Sequence, residues 1–397
     1  MISYDEALRL VLSETRSLGT ERIDLNQSLG RVSSRDWIAD RPLPPFDRVT
    51  MDGIAFRFSE AEEQESLSMV NIIAAGQPRF DLPEGPVCVE VMTGAVLPHG
   101  ADTVVRYEDV DITDGRAKIN TAFQAGQNIH RKGLDRSEGE VVLTKGSLIG
   151  PAEIGLAASI GLPRIETVKV PRVMVISTGD ELVPVDTKPL PHQIRRSNVH
   201  AIAALLQDLG INAETTHLPD QANEIQTELS RVLHEYDVII LSGGVSKGKY
   251  DYIPEVLASC GVKKLFHRVA QKPGKPLWFG SKPAGAVVFG LPGNPVSSFM
   301  CTVVYVRAWI QSCLGVPSKG PVLGVLDEDI HFDADLTYFV PVSINYQENG
   351  TMHAHPKRGQ GSGDLANLTR AGGFVRLDRG QNHFSAGEIY PIYPFSN

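Results

Sequence analysis

Between residues 173 and 314 the chain alternates short, almost wholly apolar runs with segments of helical period, and this alternation restricts its fold more than any other feature. VMVIS, INAETTHL, DVIILS, KKLFHRVA and AVVFGL read as strands. Helices are expected between or after them at about Asn198 to Leu209, Gln221 to His234 and Val296 to Leu314. Strands separated by helices imply right-handed crossovers and a mostly parallel sheet. The expected centre is a doubly wound α/β domain.

The flanks have a different texture. The chain opens with a helix that Ser3 can cap, with Glu6 three residues on and Ala7, Leu8, Val11 and Leu12 on one face. After Arg41, PLPPFDRVTMDG reads as a stiff connector. From there to about Glu140, short β runs (SMVNIIAAG, VCVEVMTG, DTVVRYEDV, RAKIN) sit between Gly, Pro and Asp turns and suggest a small all-β insertion. Pro151 suits the first turn of a further helix. Beyond Pro317, PVLGVL, YFVPVSINY, GFVRL and IYPIYPF imply a C-terminal β domain of about 75 residues.

Composition narrows the function classes. At 397 residues the expectation is two to four domains, at roughly 150 residues each. With 42% apolar and 21% charged residues, a disordered or fibrous chain is excluded. The net charge of −9 is spread without a basic block, so no nucleic acid and no anionic membrane is expected as partner. No apolar run approaches the roughly 18 residues that span a bilayer, and MISYDEALRLVL lacks a secretion signal, so the expected compartment is the cytoplasm. Cys88, Cys260, Cys301 and Cys313 show no CxxC spacing and read as buried reduced thiols.

In an open parallel sheet, ligands bind beyond the carboxyl ends of the strands. VMVIS runs into Thr178, Gly179, Asp180 and Glu181; DVIILS, ending at Ser242, runs into Gly243, Gly244, Val245 and Ser246; AVVFGL runs into Pro292, Gly293, Asn294 and Pro295. Each loop alone fits an ordinary turn. Three on one edge suit a phosphate, because glycines let backbone amides close around an anion beside a helix N-terminus. Glu181, Asp220 and Asp251 follow these strands and form a candidate Mg²⁺ set, although each also fits a cap or turn. In QKPGKPLWFG, Lys272 and Lys275 flank a Pro-Gly turn and offer counter-charge to phosphate oxygens. GGVSKGK carries the G-x-x-x-x-G-K part of a P-loop, but Tyr250 stands where a Ser or Thr hydroxyl would reach Mg²⁺, and Pro254 opens the next helix.

In order, PPFD with MDG, MTGA-x-x-P-x-GAD, STGDEL, SGGVS with Asp251, KPGKP and GLPGNPVS closely resemble the molybdopterin molybdenumtransferase family, which includes the C-terminal region of gephyrin. The resemblance runs from the first helix to GSGDLANL. It implies an α/β multi-domain fold in four parts. These are a helical segment from residues 1–41 and 141–166, an inserted β domain over 42–140, the α/β domain over 167–317 and a C-terminal β barrel over 318–397. It further implies a homodimer whose active site lies in a cleft to which both subunits contribute. The implied reaction takes molybdate and adenylylated molybdopterin, uses Mg²⁺ and releases AMP. Molybdate would sit near Pro292 and Pro295, and the partners would include an upstream molybdopterin adenylyltransferase and recipient molybdoenzymes. Asp52 of MDG, Thr93 of MTGA and Asp135 of GQNIHRKGLD carry over as pterin-side or catalytic positions.

The chain departs from the family pattern in places. Where members often read FDNSAMDGYA, it has Arg48, Val49, Thr50 and Ile54. Where an arginine commonly follows N-I, it has His130, with Arg131 adjacent; Lys247 and Lys249 add charge to the SGGVS loop. A scaffold that binds the pterin without turnover is the alternative reading from a different class, and a P-loop NTPase is a third.

Overall fold

In the computed structural model, which describes residues 1–244, 253–316 and 321–396, the apolar runs of the α/β segment project alternately to two sides of one six-stranded sheet. Its strands are β1 (Val173–Thr178), β2 (Glu214–Leu218), β3 (Val238–Ser242), β4 (Lys263–His267), β5 (Trp278–Ser281) and β6 (Val287–Leu291). Val173, Val175, Val238, Ile240, Val287 and Phe289 face one hydrophobic cluster, while Met174, Ile176, Ile239, Leu241 and Val288 face another. A period of two along strands buried on both faces produces this split. Helix α1 (Asn198–Gln207) covers the first face through Val199, Ile202 and Leu206. Helices α2 (Ala222–Glu235) and α3 (Ile253–Ser259) cover the second through Ile225, Leu229, Val232 and Leu257. The domain is therefore doubly wound.

The strand order is β2-β1-β3-β6-β5-β4. β2, β1, β3 and β6 are mutually parallel; β5 pairs antiparallel with β6, and β4 pairs antiparallel with β5. WFGS, which forms β5, carries a glycine in mid-strand that weakens its β signal. A Cβ on Gly280 would lie 2.7 Å from the Lys263 carbonyl oxygen, so close backbone approach explains that glycine.

The chain divides into two units, and this sheet belongs to the one built from Met1–Ile23, Ser28–Ser34 and Glu166–Asn397. The same unit contains the N-terminal helix Tyr4–Ser13, where Ser3 Oγ accepts the Glu6 N–H at 3.1 Å as the capping pattern predicts. Its buried face is Tyr4, Ala7 and Val11, packed into the first cluster, while Leu12 is 37% exposed. The apolar stripe is thus rotated from the expected one. Helix α4 (Pro295–Cys301) continues through a π-helical turn, Thr302–Val306, into a helix over Arg307–Cys313. The β-branched run TVVYV coincides with the π turn.

Five strands (Val322–Leu326, Thr337–Tyr346, Met352–Pro356, Gly373–Leu377 and Ile389–Pro394) close into a barrel, because Thr337–Tyr346 pairs with both Met352–Pro356 and Gly373–Leu377.

The other unit comprises Asp24–Gln27 and Arg35–Ile165. Its six-stranded sheet buries Ala55, Val89, Val91 and Val104 on one side and Ile54, Phe56, Cys88 and Val105 on the other. Helix Pro151–Ser159, with Pro151 in its first turn, packs Ala157 against Trp37, Ile149 and Ile160. All four cysteines are free, and Cys88, Cys301 and Cys313 are buried. No helix among the described residues is long and apolar enough to cross a membrane.

Candidate functional site

Strand register brings the loop starts together. Ser177 on β1 pairs with Ser242 on β3, and Ser242 pairs with Leu291 on β6, so the three turns leave the sheet from a single row. The connection from β1 leads to β2 on one side, while β3 lies on the other, so a crevice opens at the reversal of strand order. A cavity of about 410 Å³ occupies that edge. Thr178, Gly179, Glu181, Asp220, Ser242, Gly243, Gly244, Gly293 and Pro295 line it, all of them expected from sequence.

Gly243 (φ +104°) and Gly244 (φ +66°) use backbone conformations that side chains rarely adopt. A Cβ on Gly243 would lie 3.0 Å from Thr178 Oγ1, and one on Gly293 would lie 3.9 Å from Gly243 Cα. The loops after β1, β3 and β6 therefore approach one another closely, with glycine backbone at the contacts. Asn198, at the start of α1, fastens two of them by donating from Nδ2 to Ser242 Oγ (2.9 Å) and to the Gly293 carbonyl (2.8 Å).

Two polar atoms of the cavity-lining residues are buried without hydrogen-bond partners among the described residues, Thr178 Oγ1 and Arg196 Nε. A buried donor left unpaired costs about 1–3 kcal/mol, so both suit an anionic ligand that would accept from them. Arg195 and Arg196 line the cavity together with Ser197 and Asn198, and sequence reasoning missed all four. The only local signal was RRSN directly before an apolar-periodic helix, which equally fits a solvated helix start. Arg196 reaches the edge because Leu182–Val183 and Ile194–Arg195 pair in parallel, with the Arg196 N–H on the Val183 carbonyl at 3.0 Å. Beside it, His217 Nδ1 lies 3.0 Å from Ser177 Oγ. Burial and then the Arg196 charge push this imidazole below its ordinary range, against the Ser177 hydrogen bond and the charges of Asp180 and Asp220. His217 is thus neutral at pH 7.

Glu181 and Asp220 line the same cavity, and the Asp220 N–H donates to Asp180 Oδ1 at 3.1 Å. Ser246 and Asp251, like Lys247, Lys249 and Tyr250 of the P-loop pattern, lie outside the described residues. No cluster of three or more metal-ligating side chains is found among the described residues.

Lys272 and Lys275 are not brought into the cavity. Lys272 pairs in parallel with Tyr338 beside the barrel, its Nζ 5.3 Å from the Phe332 ring centre and 5.4 Å from that of Tyr338. These two aromatic side chains compete for the charge that the sequence assigned to phosphate. The turn between the lysines does dock on α4: a Cβ on Gly274 would meet Cys301 Sγ and Gln271 Nε2 at 2.7 Å, and Tyr305 donates to Gln271 Oε1 at 2.5 Å. Pro292 and Asn294 flank the cavity lining; Asn294 Nδ2 donates to Ser362 Oγ (2.8 Å), and the Val296 N–H donates to the Ser362 carbonyl (3.0 Å). That first-turn amide of α4, expected to face an oxyanion, is already taken.

The other unit holds the remaining candidates. Asp52 Oδ1 accepts the Thr93 N–H at 2.6 Å, and the backbone and hydroxyl hydrogen bonds from Thr93 hold the exposed carboxyl below its ordinary value. Asp135 accepts from His130 Nε2 at 2.9 Å.

Three family models match in succession. They are "MoeA N-terminal region (domain I and II)" over residues 2–161, "Probable molybdopterin binding domain" over 174–312 and "MoeA C-terminal region (domain IV)" over 324–395. A curated molybdopterin molybdenumtransferase of Synechocystis sp. is 38% identical over 398 residues, covering 99% of this chain and 100% of that protein. One of Haemophilus influenzae is 32% identical over 412 residues, covering 100% and 99%. The solved structure of a molybdopterin biosynthesis MoeA protein from Pyrococcus horikoshii aligns with a TM-score of 0.83 at 27% identity, covering 100% of both chains.

Proposed function

Because this chain belongs to the molybdopterin molybdenumtransferase family, we propose that it transfers molybdenum from molybdate into adenylylated molybdopterin with release of AMP. The single observation that carries the reading is the glycine-walled cavity at the switch point of the sheet, with two carboxylates and two arginines in its lining. In this proposal the diphosphate lies against Gly243, Gly244 and Gly293, whose lack of side chains admits it. Thr178 and Arg196 donate to its oxygens, and Arg195 adds charge that offsets the anion.

Glu181 and Asp220 supply hard oxygen donors in the same wall, and one or two carboxylates completed by substrate phosphates suit Mg²⁺. These residues would hold the ion, with Asp251 a further candidate, and the ion would neutralise charge on phosphate oxygens. Lys275, offered by the sequence to phosphate oxygens, stays outside the cavity lining, and molybdate would sit near Pro292 and Pro295. Asp52, Thr93 and Asp135 serve as pterin-side groups.

Purified protein given adenylylated molybdopterin, molybdate and Mg²⁺ is expected to release AMP; no release beyond a buffer control would remove the proposal. No observation favours the scaffold or NTPase alternatives.

A homodimer forms part of the reading, although the apolar cores of the two units do not demand one. The N-terminal helix is buried in its own unit and the β unit has cores on both sheet faces, so neither needs a second copy to bury its apolar side chains. Support comes instead from Met51 (45% exposed) and Leu134 (68% exposed), apolar neighbours of Asp52 and Asp135 left for another surface to cover. Sedimentation at twice the 43.2 kDa chain mass is expected, and a monomer at micromolar concentration would contradict it. A cytoplasmic setting between an adenylyltransferase and recipient molybdoenzymes follows from the same reading.

A further inference from the structure

Two departures from the family pattern, Arg48 and His130, turn out to be one structural feature. They are cross-strand partners in the antiparallel pair of Arg48–Val49 with Ile129–His130. Arg48 Nη2 lies 3.2 Å from His130 Nδ1, and His130 Nε2 lies 2.9 Å from Asp135 Oδ1. A guanidinium has donors only, so the nitrogen facing it must carry the lone pair. The ring proton is then confined to Nε2, where it donates to the Asp135 carboxylate.

We propose that His130 is a positioning residue for Asp135 and that Arg48 fixes its tautomer. The proposal rests on the reading of Asp135 as a catalytic position. Neighbouring charges leave the chain of contacts intact. Asp47, next to Arg48, is engaged by Arg131 Nη1 at 3.0 Å and by the Lys132 N–H at 2.8 Å. Arg136 donates to the Asp135 carbonyl, not its carboxylate, at 2.6 Å, and lies 3.3 Å from Glu140. The Asp135 N–H is fixed on the Leu43 carbonyl at 2.9 Å. Backbone and Oδ1 are therefore both held, and Oδ2 has no partner among the described residues.

The arrangement differs chemically from an arginine at position 130. A guanidinium against the carboxylate would form a charge-assisted pair, whereas a neutral imidazole gives a weaker hydrogen bond. The permanent charge is still present, moved to position 48 and felt through the ring. Asp135 keeps its orientation through a single neutral donor.

The test uses the full chain with ¹⁵N-labelled histidine, the His130 signals being assigned by their loss in His130→Gln. At neutral pH the ring is expected as the Nε2–H tautomer, and Arg48→Ala is expected to return it to a tautomer mixture. An Nδ1–H tautomer or an imidazolium in the parent protein would overturn the proposal, as would a ring indifferent to Arg48→Ala. In turnover, His130→Leu is expected to lower kcat about tenfold with KM little changed. His130→Gln, whose amide can accept from Arg48 and donate to Asp135, is expected to restore most of it. Equal damage from Gln and Leu would rule out positioning through these hydrogen bonds. Unchanged turnover in Asp135→Asn would instead sink the catalytic reading of Asp135, while the NMR pattern judges the hydrogen-bond chain by itself.

Discussion

AMP release by a chain carrying both Glu181→Gln and Asp220→Asn is expected to fall at least about 10³-fold, with the fold intact. Both replacements keep shape and remove charge. Glu181 is exposed and Asp220 half-buried, so neither contributes to a core. The backbone contacts at these positions survive the change, since the Glu181 carbonyl accepts the Ile194 N–H at 2.9 Å and the Asp220 amide donates to Asp180 at 3.1 Å. What the double variant lacks is the pair of hard oxygen donors that line one cavity. The single variants are expected to raise the Mg²⁺ concentration for half-maximal rate by about tenfold each, because Mg²⁺ shares its coordination between carboxylates and phosphates. Release by the double variant within tenfold of the parent, or Mg²⁺ dependence unaltered in both single variants, would show that these carboxylates do not hold the ion.

The sequence made this pair visible because strands buried on both faces announce themselves. VMVIS, DVIILS and AVVFGL could be assigned to one parallel sheet from local composition alone, and parallel register then places Ser177, Ser242 and Leu291 in a row. Of the residues expected after them, Thr178, Gly179, Glu181, Gly243, Gly244, Gly293 and Pro295 line the cavity, whereas Asp180, Pro292 and Asn294 do not. The failures have another cause. Arg195 and Arg196 reach the cavity through a two-residue strand pair that no local pattern encodes. Lys272 was read as a free cation because Phe332 and Tyr338, which lie about its Nζ, are some 60 residues away in the sequence, and only barrel closure brings them together. β5 was hidden by Gly280, whose missing side chain is a requirement of packing and a mark against strand propensity at once. The contact between Arg48 and His130 is likewise long-range: a motif comparison shows two unrelated departures, and only strand pairing makes them neighbours.

The glycine turn after β3 is where stability and binding should fail together. Gly244→Val is expected to lower the thermal midpoint by about 5 °C or more and AMP release by about 100-fold. At φ +66° a side chain is strained whatever the space, and here there is none: a Cβ would lie 2.4 Å from Ile253 Cδ1 and 2.9 Å from Thr178 Oγ1. Ile253 opens α3 and belongs to the second hydrophobic cluster, so relief of the clash must displace either a packed helix or the cavity wall. Gly210→Ala separates strain from obstruction. Gly210 also has positive φ, +72°, but a Cβ there meets nothing within 4 Å and the residue does not line the cavity. That variant is expected to lose about 1 kcal/mol of stability and no AMP release. If Gly244→Val melts like Gly210→Ala and turns over like the parent, the bare-backbone wall has no part in holding the anion. If instead both glycine variants lose activity in proportion to stability, the effect is one of folding, and the cavity forfeits its claim to the diphosphate.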